Sequence, residues 1–404
     1  MSALIDWLNQ KNNSNWFLYI KRLSANDTGL TKSNQSGIYI PEEVVNTCLP
    51  SINHKLSKNP DCEIEAKISS HELPEKVVRG VYYNSRHFGK SRNEYRITQW
   101  KKGISYTPLQ DHDCTGALSL FAFDISNIDK NSSFIDVWVC KGIDEEDIIE
   151  SMIGEVLPGS WVGDRCDILL NGFSQGLRNK EKEIKFPENW LYTFPTGSEI
   201  IEHLTKNFPL NYESPDKLLI KRRELEYKLF RLVEEKHILT VINNGFNSVD
   251  EFMSLANSVS NRRKSRSGKS LELHLELIFK QFNLNKFSTQ CITEGRKKPD
   301  FLFPSCSDYH NINFPREKLR MLAVKTTCKD RWRQVLNEAN DIKEIHLFTL
   351  QEGVSINQFQ EMKDENVKLV VPSPLHKKYP ESIRGELTTL EHFINETKSM
   401  YGNI

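Results

Sequence analysis

The chain has 404 residues, of which 38% are hydrophobic and 27% are charged, and its 54 basic residues balance its 54 acidic ones. This composition excludes a disordered or low-complexity chain, and the length favours two domains over one. No apolar run approaches the roughly 18 residues of a membrane span, so we expect no contact with a membrane.

The zero net charge argues mildly against nucleic-acid binding, which uses an excess of Lys and Arg. The charges are segregated along the chain, however: basic residues crowd into 86–102 and 262–269, and acidic ones into 143–155. Eight cysteines are spread out without a Cys-x-x-Cys pair, and the amino terminus lacks a signal-peptide pattern. These features predict reduced thiols and an intracellular protein, and they do not favour a zinc site.

Residues 14–172 are dominated by short runs of β-branched and aromatic residues separated by turn sequences. The predicted strands are WFLYIKRL, GIYIP, CEIEAKIS, VVRGVYYN, EYRITQW, ALSLFAFDI and FIDVWVCK. Many short strands at this spacing indicate a small barrel or sandwich, with helical pieces at 1–10 and around 144–156.

The segment between Tyr82 and Trp100 carries the densest group of basic and polar side chains in this half. Arg and Lys in such a segment can pair with guanine or phosphate, Asn93 with adenine, and Glu94 with the cytosine amino group. A solvated hairpin with ion pairs is the alternative, and it is what charge runs usually form.

A charged segment interrupted by proline, LRNKEKEIKFPENW, separates the strand-rich half from the rest. We expect the hinge here, at 174–185, between an amino-terminal domain at 1–173 and a carboxy-terminal domain at 186–404.

Beyond the hinge, helical periodicity comes first, and strands then alternate with helices. Helices are predicted at EIIEHLTKNF, SPDKLLIKRRELEYKLFRLVEEKHILTVI, VDEFMSLANSVSNRR, SRSGKSLELHLELIFKQF, residues 356–364, and from about Gly385 to Tyr401. Ser214 and Asp216 are the predicted caps of the second of these helices. The strands PDFLF, LRMLAVKT, EIHLFTL and KLVVP indicate a central mixed sheet flanked by helices.

Three chemically related groups follow one another in this second half. Asp300 follows a proline at the head of FLF, Lys325 stands near the end of the next strand, and Glu338 falls on a predicted helix beyond it. Two acids can hold a hard divalent cation while the lysine steadies the attacking water or the charge at phosphorus, which suits phosphodiester hydrolysis. The usual nuclease signature has an acid where this chain has Ala323, so Glu338 is its candidate replacement, and Glu272 can add a further carboxylate.

Two other interpretations stay open at this point. The three groups can be a turn aspartate, a snorkelling lysine and a surface glutamate. Alternatively, Tyr309 with His310 and Arg331 can form a tyrosine nucleophile site that makes a covalent phosphotyrosine link. One tyrosine near one arginine supports this weakly, because such sites need several activating cations.

Several long segments resemble the EcoRII family of restriction endonucleases, in the same order along nearly the whole chain. These segments are ANDTG, SINHKLS, YYNSRHFGKSRNEYRITQW, SVDEFMSLANSVSNRRKSRSGKSLELHLE, KKPDFLFPS and LRMLAVKTTCKDRWRQVLNEA. The resemblance implies a homodimeric, Mg²⁺-dependent type IIE endonuclease that cuts double-stranded DNA at CCWGG (W is A or T) before the first C. A DNA-binding regulator with an inactive nuclease fold is the alternative from another class.

The resemblance also implies the architecture, an α+β chain of two domains. The amino-terminal domain would be a β pseudobarrel that binds a second copy of the site as effector and otherwise blocks the catalytic cleft. The carboxy-terminal domain would be an α/β restriction-endonuclease-like domain of the PD-(D/E)xK superfamily with a central mixed sheet.

Residue roles follow from the same resemblance. Asp300 and Glu338 would hold the metal, Lys325 would act at the scissile phosphate, and Glu272 would assist. The expected DNA contacts are Tyr39, Lys90, Arg92, Asn93, Glu94 and Arg96 for the effector, Lys329, Asp330 and Arg331 for the C·G pairs, and Arg223 and Tyr227 for flipped bases of the central A·T pair.

Overall fold

The computed structural model of the protein describes most of the chain. The described ranges are 3–31, 37–89, 93–127, 130–170, 184–329, 331–336 and 338–401, without the side chains of Leu170, Lys264 and Ser267. The chain divides into two compact units, the first comprising residues up to 177 with Glu352–Gln358 and Lys378–Ser382, and the second comprising the remainder. The expected hinge at 174–185 lies almost wholly outside the described residues.

The first unit is built on one eight-stranded sheet. Its strands are β1 Trp16–Arg22, β2 Ile38–Ile40, β3 Asp61–Ile68, β4 Lys76–Tyr83, β5 Glu94–Thr98, β6 Leu118–Asp124, β7 Phe134–Val139 and β8 Trp161–Arg165. They lie in the order β2-β5-β4-β3-β7-β6-β1-β8, and every neighbouring pair is antiparallel except β3 and β7. All seven predicted strands are confirmed. β8 was not predicted, because Gly163 interrupts a short segment whose alternation is already weak.

Four helices accompany this sheet in the described residues. They are α1 Ala3–Lys11, α2 Glu42–Cys48, α3 Ile143–Ile153 and α4 Cys166–Leu170. The sequence predicted α1 and α3, whereas α2 and α4 are too short to show helical periodicity. The acidic residues of α3 have a structural use: the buried guanidinium of Arg22 pairs with Glu146 at 2.8 Å and with Glu150 at 2.7 Å.

The sheet curls, as a hydrogen bond between distant strands demonstrates. The Tyr19 hydroxyl of β1 donates to the Tyr39 carbonyl of β2 over 3.0 Å, although five strands separate β1 from β2 in the sheet order. Successive side chains of β1 point to opposite faces. Tyr19 therefore packs in the core enclosed by the curl, whereas Leu18 and Ile20 pack outside it against α1 and α3.

The second unit combines long helices with a five-stranded sheet. Its helices and strands are α5 Gly197–Asn207, α6 Pro215–Asn243, α7 Val249–Gln281, β9 Ser288–Thr289, β10 Phe301–Phe303, α8 Cys306–His310, β11 Arg320–Lys325, β12 Ile345–Thr349, α9 Ile356–Asp364 (of which residues 356–358 fall in the first unit), β13 Val367–Val370 and α10 Leu390–Tyr401. The sheet order is β13-β12-β11-β10-β9. The strands β11 to β13 are parallel and β9 to β11 antiparallel, so the sheet is mixed, as predicted. In these described ranges, no helix combines the length and hydropathy needed to cross a lipid bilayer.

Two helix predictions in this unit are corrected. The segments around 249–263 and 265–282, predicted as separate helices, form the single helix α7. A glycine inside a helix costs about 1 kcal/mol relative to alanine. The buried side chains that follow Gly268, including Leu271 and Leu275, offset that cost. The closing helix begins at Leu390 rather than near Gly385, after a short 3₁₀ segment.

The prediction that all cysteines are reduced is also corrected. Cys291 and Cys306 form a disulfide between the end of β9 and the start of α8. Their spacing in the sequence gives no hint of this pairing, because it depends on how the two segments pack. The nearby His310 places Nε2 2.9 Å from the Ile292 carbonyl, and with both sulfurs in the disulfide these residues offer no thiolate to a metal.

Neither residue predicted to cap α6 is observed to cap it through its side chain. Ser214 occupies the N-cap position, but its side chain makes no capping hydrogen bond. The fully buried carboxylate of Asp216 instead accepts hydrogen bonds from the backbone N–H groups of Ser373 at 2.8 Å, Leu390 at 3.1 Å and Glu391 at 2.9 Å. Asp216 therefore joins the first turn of α6 to the first turn of α10.

We predict that Asp216→Ala lowers the free energy of unfolding by about 3 kcal/mol or more, because three backbone donors lose a charged acceptor. Ser214→Ala is the matched control and should change stability by less than about 0.5 kcal/mol, since no side-chain bond is lost there. Urea denaturation of both variants measures the difference. Equal losses would show that Ser214 caps α6 in solution and that Asp216 has no special role.

Candidate active site

The pairing of β10 with β11 brings Asp300 close to Lys325. The two strands are antiparallel with Phe301 opposite Leu322, and Asp300 directly precedes β10 while Lys325 is the last residue of β11. The Val324 N–H donates to Asp300 Oδ2 over 2.7 Å. Because the strands are buried apolar runs, they fix the backbone from which both charged side chains emerge.

A ladder of buried polar contacts between α6 and α7 positions Glu272. Glu226 accepts from Arg266 at 2.5 Å and from Ser270 at 3.0 Å, and Arg263 pairs with Glu234 at 2.7 Å. Pairs of this kind fix the register of two helices, because a shift would leave buried charges unpaired. Glu272, two residues beyond Ser270, consequently lies where its charge acts on Asp300.

The pKa of Asp300 is raised above its ordinary value. Partial burial is the main cause, and the nearby carboxylate of Glu272 adds to it. The ammonium of Lys325 and the Val324 N–H oppose the shift, as does the charge of Lys269. The net direction shows that the protein alone does not fully compensate the negative charge of this carboxylate.

Glu338 does not lie on a helix, which corrects the prediction for the segment after the lysine. A short 3₁₀ helix covers Arg331–Val335, and Glu338 comes in the turn beyond it, with its N–H bonded to the Val335 carbonyl at 3.1 Å. The apolar spacing was real, since Trp332 and Ala339 are buried. Apolar spacing alone cannot distinguish an α-helix from a 3₁₀ turn followed by a loop.

The acidity of the Glu338 carboxyl is strongly perturbed. Burial raises its pKa to about 7, the negative charge of Asp300 adds to the shift, and the positive charges of Lys325 and Lys297 oppose it. Its Oε2 atom is buried and has no hydrogen-bond partner among the described residues. A buried oxygen without a partner costs free energy and is uncommon in folded proteins.

The charge of Lys325 acts on both Asp300 and Glu338, and the charge of Asp300 acts on Glu338, so the three groups lie close together. Oxygen ligands from two carboxylates suit a hard divalent cation such as Mg²⁺. Such a cation would supply the positive charge that Asp300 and Glu338 lack, and a partner for Glu338 Oε2. Ala323, at the usual position of the second acid, is fully buried in β11 and carries no ligand atom.

Two lysines beside this group were not predicted from the sequence. Lys269 pairs with Glu272 at 2.9 Å and acts on Asp300, while Lys297 acts on Glu338. Lys297 is only three residues before Asp300, so proximity in sequence was an available signal. Lys269 is brought in by α7, and no local pattern indicates it.

The segment predicted to read C·G pairs lies between Lys325 and Glu338. Buried Gln351 fixes its start, because its Oε1 accepts from the N–H groups of Cys328 at 2.8 Å and Lys329 at 3.0 Å. Lys329 is half-buried, and Arg331 begins the 3₁₀ helix. Asp330 lies outside the described residues.

Arg223 and Tyr227, predicted to cradle flipped bases, belong to the ladder between α6 and α7. Arg223 is 2% exposed, and its Nη1 lies 2.5 Å from the Ser270 hydroxyl. The guanidinium of Arg266 lies over the Tyr227 ring at 4.8 Å. Stacking of Arg223 on a base would therefore require it to leave its buried partners.

The predicted effector contacts in the first unit differ in accessibility. Tyr39 in β2 is 41% exposed, and the Asn93 side chain accepts from the Arg86 N–H at 3.0 Å. Arg96 is buried: it donates to the Gly37 carbonyl at 2.7 Å and pairs with Glu94 at 3.2 Å. Lys90 and Arg92 lie outside the described residues.

Tyr309 does not have the properties of a nucleophile. It is 1% exposed, and its hydroxyl donates to Glu294 over 2.7 Å. Burial, assisted by the Glu294 carboxylate, raises the pKa of Tyr309. A buried phenol whose hydroxyl already donates to a carboxylate does not fit a nucleophile that must reach DNA, and this argues against the tyrosine-nucleophile interpretation.

Comparison with known proteins assigns the chain to a family. Residues 12–166 match the family described as restriction endonuclease EcoRII, N-terminal, and residues 230–394 match EcoRII C terminal. The type II restriction enzyme EcoRII of Escherichia coli is 53% identical over 404 residues, covering 100% of this chain and 99% of that protein. The chain belongs to the EcoRII family of restriction endonucleases. It is accordingly a site-specific deoxyribonuclease, which sets aside the alternative of a regulator with an inactive nuclease fold.

Two solved structures of Ecl18kI are more distant. One is metal-depleted Ecl18kI in complex with uncleaved DNA, which is 20% identical, with a TM-score of 0.44, 53% of this chain covered and 82% of that one. The other is the metal-depleted enzyme with uncleaved, modified DNA, which is 19% identical, with a TM-score of 0.44 and coverage of 52% and 81%.

The perturbed acidity of Glu338 predicts a pH-dependent gain of stability for Glu338→Gln in a chelator. The pKa of about 7 in the folded protein exceeds the ordinary value of about 4.3 in an unfolded chain. Folding therefore carries a penalty that grows as pH rises from 4 and is complete above pH 7. Allowing for partial exposure, we expect Glu338→Gln to stabilise by about 1–2 kcal/mol at pH 8 and by less at pH 5.

Thermal unfolding at the two pH values measures this difference. Glu365→Gln, at an exposed position, is the matched control and should leave the melting temperature unchanged at both. A gain for Glu338→Gln that is as large at pH 5 as at pH 8 would contradict the assigned acidity.

Proposed function

We propose that the protein is a Mg²⁺-dependent type IIE endonuclease that cleaves both strands of DNA at CCWGG, before the first C. The family resemblance supplies the sequence and the cutting position. The observation that carries the catalytic part is the buried, unpartnered Oε2 of Glu338 beside the charges of Asp300 and Lys325. We expect the protein to act in the cytoplasm of a bacterial cell.

Each group of the candidate site has a proposed task. Asp300 and Glu338 hold the cation through carboxylate oxygens, and Glu272 assists from α7. When bound, Mg²⁺ would supply Lewis-acid polarisation of the phosphate and a more acidic water. Lys325, at the end of a rigid strand, places its ammonium at the scissile phosphate, where it stabilises the negative charge that develops during hydrolysis.

Sequence readout is assigned to the segment that follows the lysine. Asp330 can accept from cytosine N4, and Lys329 and Arg331 can donate to guanine. For Arg223 and Tyr227 we propose contact with the flipped central bases, supported by the resemblance alone. Stacking of an extruded base offsets part of its unpairing cost.

The resemblance further supports a homodimer and an effector domain. The described part of one chain offers one cluster of acids and lysine, so a homodimer would supply one such cluster for each DNA strand. The first unit, with its curled sheet, is the proposed pseudobarrel that binds a second copy of the site through Tyr39, Lys90, Arg92, Asn93, Glu94 and Arg96. Until effector DNA binds, it is proposed to block the catalytic cleft.

We predict that Lys325→Ala binds CCWGG duplexes like the natural protein and cleaves them at least about 100-fold more slowly, since a positioned charge at the transition state is lost. The rate of plasmid cleavage under single-turnover conditions with Mg²⁺ measures the effect. Lys343→Ala, an exposed lysine on the same unit, is the matched control and should cleave normally. Cleavage by Lys325→Ala within threefold of the control would remove the proposed site.

The autoinhibition proposal predicts that deletion of residues 1–180 releases activity on DNA with a single CCWGG site. The full chain should cut such DNA slowly and should be stimulated by a short duplex that carries the site. The truncated protein should cut it quickly without that duplex, because the blocking domain is gone. A truncated protein that cuts multi-site DNA but is no faster than the full chain on single-site DNA would contradict autoinhibition.

A further inference from the structure

Glu338 depends on distant segments for its position. The 3₁₀ helix before it ends at Val335, and the Glu338 backbone N–H bonds to the Val335 carbonyl at 3.1 Å. A carboxylate in a turn can ligate a cation reproducibly only if that turn is held at a fixed place. The described contacts show which residues hold it.

Thr293 holds the turn at Glu338 itself. Its side chain is 6% exposed, and Oγ1 lies 2.5 Å from the Glu338 carbonyl and 3.3 Å from the Lys297 carbonyl. One hydroxyl proton serves both acceptors, and the shorter contact is the stronger hydrogen bond. The Thr293 N–H also bonds to the Lys297 carbonyl at 2.9 Å, which fixes Thr293 in its own loop.

Glu294 holds the same turn two residues later. Its Oε2 accepts from the Asn340 N–H at 3.3 Å and from the Tyr309 hydroxyl at 2.7 Å. Tyr309 is almost fully buried in α8, so it provides a fixed base for the Glu294 carboxylate. The chain is thus gripped at residue 338 by Thr293 and at residue 340 by Glu294.

The segments that carry Thr293 and Tyr309 are also linked to each other. The disulfide from Cys291 joins Cys306, the first residue of α8, so the loop with Thr293 and the helix with Tyr309 share a covalent link. Arg316 then connects α8 to the turn from the other side. Its Nη1 donates to the Tyr309 carbonyl at 2.7 Å and lies 3.3 Å from Asp341.

We propose that Thr293 and Glu294 are positioning residues that hold the Glu338 turn, and so set the affinity of the site for its divalent cation. Neither side chain is a proposed metal ligand or a proposed contact of the scissile phosphate. The inference rests on the proposed role of Glu338 as a ligand. Removing partners that orient a ligand typically costs 10–100-fold in metal affinity or activity.

Metal titration of Thr293→Val tests the proposal. Valine keeps the shape of threonine and removes the hydroxyl. We expect the Mg²⁺ concentration for half-maximal cleavage to rise about tenfold, with a smaller fall in the rate at saturating Mg²⁺. Thr293→Ser keeps the hydroxyl and should restore the natural requirement to within about twofold. Thr240→Val, an exposed hydroxyl on α6, is the matched control for the substitution.

Direct binding gives a second readout that does not depend on cleavage. In a Lys325→Ala background the DNA is cut too slowly to interfere, and the electron paramagnetic resonance signal of unbound Mn²⁺ then reports the Mn²⁺ affinity of the protein–DNA complex. The hydroxyl-free variant should bind Mn²⁺ about tenfold more weakly than the background protein. Superimposable Mn²⁺ and Mg²⁺ titrations for Thr293→Val and the natural protein would overturn the positioning role.

Two further variants keep the outcome decisive. If Thr293→Val does not fold, Tyr309→Phe replaces it, because it removes the hydroxyl that anchors Glu294; a shift of about threefold is expected, and none would overturn the proposal. Glu338→Ala distinguishes a failure of the proposed function from a failure of the positioning role. Normal cleavage by Glu338→Ala defeats the proposed function, whereas an inactive Glu338→Ala beside an unshifted Thr293→Val defeats the positioning role alone.

Discussion

The antiparallel pairing of β10 with β11 is the constraint on which the candidate site depends. It places a carboxylate that precedes one strand beside a lysine that ends the next, and the hydrogen bond from the Val324 N–H to Asp300 records that proximity. Both strands are buried, so neither charged group can move away without disturbing the core. The other acids, Glu338 and Glu272, belong to the site because they lie near this pair.

The negative charges of the site are energetically unfavourable in the folded protein, and a bound cation would offset that cost. Asp300 and Glu338 both have a raised pKa, since burial and the charge of a neighbouring carboxylate (Glu272 for Asp300, Asp300 for Glu338) outweigh the attraction of Lys325. Uncompensated buried charge lowers the stability of the folded chain. Such costs are characteristic of sites that are arranged for a ligand rather than for stability. The orphaned Oε2 of Glu338 belongs to the same pattern.

Two groups of polar contacts position the side chains that lie beside this pair of strands, and each group positions a different part of the site. The ladder between α6 and α7, with Glu226 bound to Arg266, sets the register that brings Glu272 and Lys269 to the site. The smaller group around Tyr309 and Glu294 fixes the turn of Glu338. Buried polar pairs of this kind contribute little net stability, but their partial loss is costly, so they favour one arrangement over its neighbours.

The sequence determined the parts of this protein that depend on local pattern. Alternating apolar residues located seven of the eight strands of the first unit, and the runs FLF and LRMLAV located β10 and β11 with their flanking acid and lysine. Ala323, at the place of the expected acid, pointed to a replacement further along the chain. Membership in the family was likewise readable from long segments.

Only the tertiary structure decided how distant segments meet. The turn that carries Glu338 and the contact of Thr293 with it leave no periodic trace, because they join residues whose separation in sequence is large. The sequence also does not show that Asp216 accepts hydrogen bonds from the first turn of α10, or that Arg96 is buried. A polar residue looks the same in sequence whether its hydrogen-bond partner is water or the protein backbone. Local propensity fixes elements, and long-range packing fixes which charged groups share a site.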